Sequence, residues 1–131
     1  MSIETKWDNK EETILITKID GKWSLDDYHE ATTVINQITD NVEYDFVYIL
    51  DLTYSEGPPA RFMPVGKDLQ NNAHPKMLKI IFVKASRLVR AMINIIRTIF
   101  PARTAKLAYT SNIEQARSMA RQTLEQADTD S

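Results

Sequence analysis

The chain contains no cysteine among its 131 residues. Disulfide bonds, thiol nucleophiles and thiolate metal sites are excluded together, and the absence fits a reducing compartment. Glycine is scarce as well: Gly21, Gly57 and Gly66 are the only three, too few and too scattered for a phosphate-cradling loop or a dinucleotide fingerprint. Neither histidine, His29 or His74, has a second ligand at metal spacing. Ser55, Asp51 and His74 can be written down as a triad, yet no nucleophile elbow surrounds the serine. These absences predict a protein that is not an enzyme and carries no cofactor or metal. No run reaches the roughly 18 apolar residues of a membrane-spanning helix. The start, "MSIETKWDNKEET", is polar and mixed in charge, unlike a signal peptide. The expectation is a cytoplasmic protein without a transmembrane segment.

A chain of this length with 43% hydrophobic residues can bury a core as one domain. Its formal net charge of −2 hides a segregation along the sequence. Residues 1–68 hold 14 acids against 6 bases, whereas 69–113 hold 8 bases and no acid: Lys76, Lys79, Lys84, Arg87, Arg90, Arg97, Arg103 and Lys106. Either acidic and basic elements face each other in the fold, or a basic surface awaits an anionic partner. Nucleic acid is a poor candidate for that partner. Phosphate tracking favours a basic domain with exposed aromatic platforms, and Phe82 and Phe100 of this block sit in apolar context.

Periodicity gives alternating elements. "SIETKW" and "TILITKID" read as antiparallel strands across the polar turn "DNKEE", punctuated by Gly21. "SLDDYHEATTVINQITD" reads as a helix capped by Ser24 with Asp27, placing Leu25, Tyr28, Thr32, Ile35 and Ile38 on one face. "YDFVYILDL" (44–52) and "MLKIIFV" (77–83) have the unbroken apolar character of strands buried on both sides. Between them the Pro- and Gly-containing stretch after Ser55 allows only a weak helix over 62–73. "KLAYT" (106–110) is a short strand. "SNIEQARSMARQTLEQ" begins with Ser111 and Glu114 as a capping box and carries Ile113, Ala116, Ala120 and Leu124 on one stripe. The ending, "ADTDS", is expected to fray.

The most unusual segment is "VKASRLVRAMINIIRTIFPAR" (83–103), apolar, studded with arginine and free of acid. On a helical projection Leu88, Val89, Met92, Ile93, Ile95, Ile96, Ile99 and Phe100 occupy an arc of about 160°. Arg87, Arg90, Asn94, Arg97 and Thr98 fill the opposite arc. A helix covering one sheet face needs a stripe of only about 100°. The excess apolar surface suits a neighbouring helix, a second copy of the chain or an apolar ligand.

The order of elements predicts an α/β domain whose later strands are parallel and joined by right-handed crossovers. That order, the strand ending "ILDLT", the pairing of "IIFV" with a long helix, and "KLAYTSNIEQARSMA" resemble the STAS domain of sulfate transporters and anti-sigma factor antagonists. The variant it is most similar to is a bacterial branch related to the CRAL-TRIO lipid-transfer proteins. The resemblance covers roughly residues 3–126. It implies a domain over 1–126 with a disordered tail over 127–131. It also implies a mostly parallel sheet of four to five strands, an antiparallel N-terminal strand and about four helices. Antagonists of this family carry a phosphorylated serine seven or eight residues past the "DL" that ends the central strand. Here Pro59 and Ala60 occupy that place. Ser55 is the nearest substitute, and beside Glu56 in a Pro-rich loop it reads first as a turn residue.

The resulting expectation is a non-enzymatic regulatory or interaction module that binds a protein partner without the phospho-serine switch. The alternative is a binder of an anionic or lipid-like small molecule through helix 86–100 and its arginine border. A homodimer would use the same surplus apolar arc. The residues expected to meet partner or ligand are Arg61, Arg87, Arg90, Asn94, Arg97 and Arg103.

Overall fold

In the computed structural model, which describes residues 2–56, 74–99 and 106–130, the chain begins as a hairpin. Strand β1 (Ser2–Trp7) runs antiparallel to β2 (Ile14–Gly21), with Trp7 opposite Leu15. The turn is held by Asn9, whose side-chain oxygen accepts from the N–H groups of Thr13 and Ile14 at 3.0 Å each. Within this turn the Glu12 N–H donates to the Asn9 carbonyl at 3.2 Å and Glu12 takes a positive φ. Gly21, at φ 91°, ends β2 in a conformation that a side chain would disfavour.

Helix α1 (Leu25–Thr39) starts where the sequence predicts. Ser24 accepts from the Asp27 N–H at 3.2 Å, and the Asp27 carboxylate accepts from the Ser24 N–H at 2.8 Å, a complete capping box. Strands β3 (Phe46–Ser55), β4 (Met77–Val83) and β5 (Lys106–Thr110) follow, with helix α2 (Arg87–Ile99) between the last two and α3 (Ile113–Asp130) after them. The five strands form one sheet in sequential order. Pairing is antiparallel for β1 with β2 and parallel for every later neighbour.

Sequential strand order has a topological consequence. Each right-handed crossover steps in the same direction, so α1 and α2 fall on the same face of the sheet. Ile35 and Ile38 of α1, and Val89 and Ile93 of α2, accordingly pack on one cluster with Leu15, Phe46, Tyr48, Leu52, Ile80 and Phe82. The other face carries Ile14, Ile16, Val47, Ile49, Ile81 and Val83, and α3 covers it with the wholly buried Ala116 and Ala120. Small residues at these two positions let the helix backbone approach the sheet closely. Phe46 is fully buried, braced edge-on by Trp7 and by His74; its truncation to alanine would cost about 3–5 kcal/mol.

Two polar groups are built into the first face. The hydroxyls of Thr5 and Thr17 share a hydrogen bond of 2.8 Å beside the buried Tyr48. Burial pushes the Tyr48 phenol far above its ordinary value, a shift that the Thr17 side chain opposes. At the other end of the strands the Lys76 N–H donates to His74 Nδ1, and Nε2 lies 3.0 Å from the Thr39 carbonyl. A carbonyl only accepts, so the proton sits on Nε2. His74 thus ties the end of α1 to the start of β4.

The structure revises several boundaries. Strand β3 continues through Thr53–Ser55, expected to be loop, because Tyr54 and Ser55 pair with Asp20 and Gly21 of β2. The cap of α3 is Asn112 and not Ser111: the Gln115 N–H donates to Asn112 Oδ1 at 2.9 Å, while the Gln115 side chain takes the Ser111 N–H. Helix α3 runs to Asp130. Among the described residues there are three helices, against about four expected. The weak helix placed over 62–73 lies outside the described residues.

Candidate functional site

Ser86 fixes the start of α2, its hydroxyl accepting from the Val89 N–H at 3.2 Å. From that start the projection places Val89 and Ile93 toward the sheet, and Ile93 is 8% exposed. Leu88 and Ile95, seven residues apart and therefore on one stripe, are 62% and 46% exposed. The broad apolar arc is thus divided: one part packs on the core, and its other margin meets solvent.

The arginine side of the helix is divided too. Arg87 and Asn94 are exposed on the outer arc. Arg90 lies at the boundary with the sheet, its guanidinium carbon 4.9 Å from the centre of the Tyr109 ring. Tyr109 belongs to β5 and stacks in turn on Phe82 at 5.6 Å. Burial raises the Tyr109 phenol above its ordinary value, and the positive charges of Arg97 and then Arg90 oppose that rise. Arg90 and Arg97, seven residues apart, lie on one helical stripe on the Tyr109 side of α2. The hydroxyl oxygen of Tyr109 is buried and has no hydrogen-bond partner among the described residues.

Among the described residues three carboxylates form ion pairs. Glu4 meets Lys6, while Asp8 and Glu114 both meet Arg117. None of these ion pairs involves the basic block, so Arg87, Arg90 and Arg97 are not neutralised by a described acid within 4.0 Å. Arg61 and Arg103, the other two cations expected at the site, lie outside the described residues.

Ser55 sits at the end of β3, where its hydroxyl accepts from the Trp23 indole N–H at 3.2 Å. His74 is next to the opposite end of that strand, since the Phe46 N–H donates to the Lys76 carbonyl. Nine residues of extended chain separate the two ends by about 30 Å. Asp51 is buried and accepts from the Thr53 N–H and hydroxyl. The paper triad of Ser55, His74 and Asp51 is therefore not assembled.

Tyr109 is the residue that sequence reasoning missed. A signal was available: Leu107 and Tyr109 alternate with Ala108, so both face the side on which the preceding crossover helix must lie.

No family model matches the chain, and no curated protein does. Among solved structures, the fold matches an uncharacterized DUF3478-family protein from Shewanella loihica PV-4 that has a SpoIIAA-like fold. The two share 13% identity; the match covers 91% of this chain and 92% of that one, with a TM-score of 0.61. The chain has a SpoIIAA-like, STAS-type fold, and at this identity the likeness extends to fold alone. Among the described residues no helix is long and apolar enough to cross a membrane.

Proposed function

We propose that this domain is a non-catalytic STAS-type interaction module that docks an acidic protein partner on the outward side of α2. The observation that carries the reading is the exposure of Leu88 and Ile95 on a helix whose arginines meet no described carboxylate. The outward arc of α2 runs from an apolar margin at Leu88 and Ile95, across Arg87 and Asn94, to Arg90 and Arg97, and apolar contact beside charged groups is the ordinary anatomy of a protein interface. Burial of the apolar stripe supplies affinity, and unneutralised arginines steer an acidic partner and set its orientation. The helix offers about 20 Å of such surface, at 1.5 Å per residue. The reading needs no phospho-serine switch, in keeping with Pro59 and Ala60 at the acceptor position and with Ser55 bonded to Trp23.

Affinity capture tests this with four proteins: wild type, R90Q/R97Q, L88S/I95S, and R121Q on α3 as a control. A partner held by wild type and by R121Q, lost from both α2 variants and released by salt, is the expected result. Capture that is identical for all four would overturn the proposal. Native mass spectrometry of the same preparations addresses the other occupants: a co-purified small molecule would favour the anionic or lipid-like ligand, and a stable dimer a second copy of the chain.

A further inference from the structure

The Tyr109 hydroxyl combines features that packing does not explain. A buried hydroxyl normally finds a partner, because dehydration without a hydrogen bond is unfavourable. This one has none among the described residues, although its ring packs on Phe82 and on the Arg90 guanidinium. Arg90 and Arg97 bring two positive charges to it, and no described acid neutralises either. Arg90 packs on the Tyr109 ring and Arg97 lies seven residues further along the same helical stripe, so two guanidiniums and one hydroxyl donor share the β5 margin of α2, a set that an anion would complete. Arginine forks recognise planar or tetrahedral oxyanions through paired N–H bonds. Two such forks with a third, neutral donor match the three terminal oxygens of a phosphoryl group better than the two of a carboxylate.

We infer that Arg90, Arg97 and Tyr109 form a receptor for a phosphate monoester, the guanidiniums balancing its charge and the Tyr109 hydroxyl donating to one oxygen. Both arginine side chains are long and exposed, so they can shift to admit the anion to the buried hydroxyl. The phosphoryl group could be carried by a small molecule or by a phosphorylated side chain of a partner. The inference rests on α2 being a binding face; it does not require that the ligand be a protein.

The test is an NMR titration of the ¹⁵N-labelled domain with inorganic phosphate, following the Nε–H signals of Arg90 and Arg97, with acetate as the carboxylate control. Phosphate is expected to shift both signals and acetate to do so far less. R90Q/R97Q should abolish the response, and R121Q should keep it. Tyr109→Phe should weaken phosphate about tenfold, the loss of one hydrogen bond to a charged group. It should leave the unfolding midpoint unchanged or higher, since the hydroxyl it removes is unpaired. Parallel titrations with glycerol 3-phosphate and with a blocked phosphoserine tripeptide decide the source, the tighter binder naming it. Phosphate shifts that survive R90Q/R97Q, an equal response to acetate, or unchanged affinity in Tyr109→Phe would overturn the inference. If phosphate fails to bind while partner capture still depends on α2, only this inference falls. If phosphate binds and no partner is captured, the docking proposal falls and the receptor stands.

Discussion

Replacing Arg117 by alanine should loosen α3 from the sheet, by an amount the structure allows to be worked out. Arg117 reaches back 109 residues to the first hairpin, its Nε–H and a terminal N–H donating to the two carboxylate oxygens of Asp8 at 2.8 and 3.0 Å. A third N–H donates to Glu114 at 2.9 Å. An exposed ion pair contributes only about 0–1 kcal/mol. The Asp8 side chain, however, is only 12% exposed, and a nearly buried carboxylate stripped of its bidentate partner costs more, about 1–3 kcal/mol. Arg117→Ala should therefore lose about 2 kcal/mol, a fall in Tm of roughly 8 °C for a domain of this size. Asp8→Ala should cost less, about 1 kcal/mol, because the guanidinium keeps Glu114 and water. Urea unfolding of both single variants and the double variant gives the coupling, expected to be at least about 1 kcal/mol. A coupling below about 0.5 kcal/mol, or an Arg117→Ala loss no larger than that of the exposed Glu114→Ala, would refute the reasoning.

Two further outcomes follow from the same structure. Asn112→Ala should destabilise the domain by about 1 kcal/mol through loss of the α3 cap, whereas Ser111→Ala should change little; equal effects, read from denaturant midpoints, would contradict the shifted cap. Burial keeps the proton on native Tyr48 at pH values where an unfolded tyrosine, with its ordinary value of about 10, has lost it. The stability so contributed is whole below about pH 10 and is lost as the pH rises further, by up to about 1.4 kcal/mol per pH unit. Tyr48→Phe should flatten that alkaline fall relative to wild type, and an unchanged slope would count against the buried phenol.

The parts of the fold legible in the sequence were those written locally. The Ser24 box, the unbroken apolar runs of β3 and β4, and the stripe of Ile113, Ala116, Ala120 and Leu124 each sit within a few turns or one strand of chain, where periodicity reads them directly. What escaped depends on contacts distant in sequence. Thr53, Tyr54 and Ser55 look like loop until Asp20 and Gly21 are placed beside them. The Asp8–Arg117 pair crosses almost the whole chain and leaves no trace in either local pattern. The width of the apolar arc of α2 was readable, but which margin faces the sheet was not. That choice is made by β5, where Tyr109 receives Arg90 and leaves Leu88 and Ile95 outside. Of the residues expected at the site, Arg87, Arg90, Asn94 and Arg97 share α2, and Tyr109 joins them only in three dimensions.

The most direct test of α2 as the working face is site-specific photo-crosslinking in the cells the protein comes from. Leu88→p-benzoylphenylalanine places the probe within the exposed apolar stripe, and Gln122→p-benzoylphenylalanine places it on exposed α3 as a control. A discrete crosslinked protein is expected from position 88 that disappears when R90Q/R97Q is added, and none from position 122. The same products from both positions, or products from position 88 indifferent to the arginines, would contradict it.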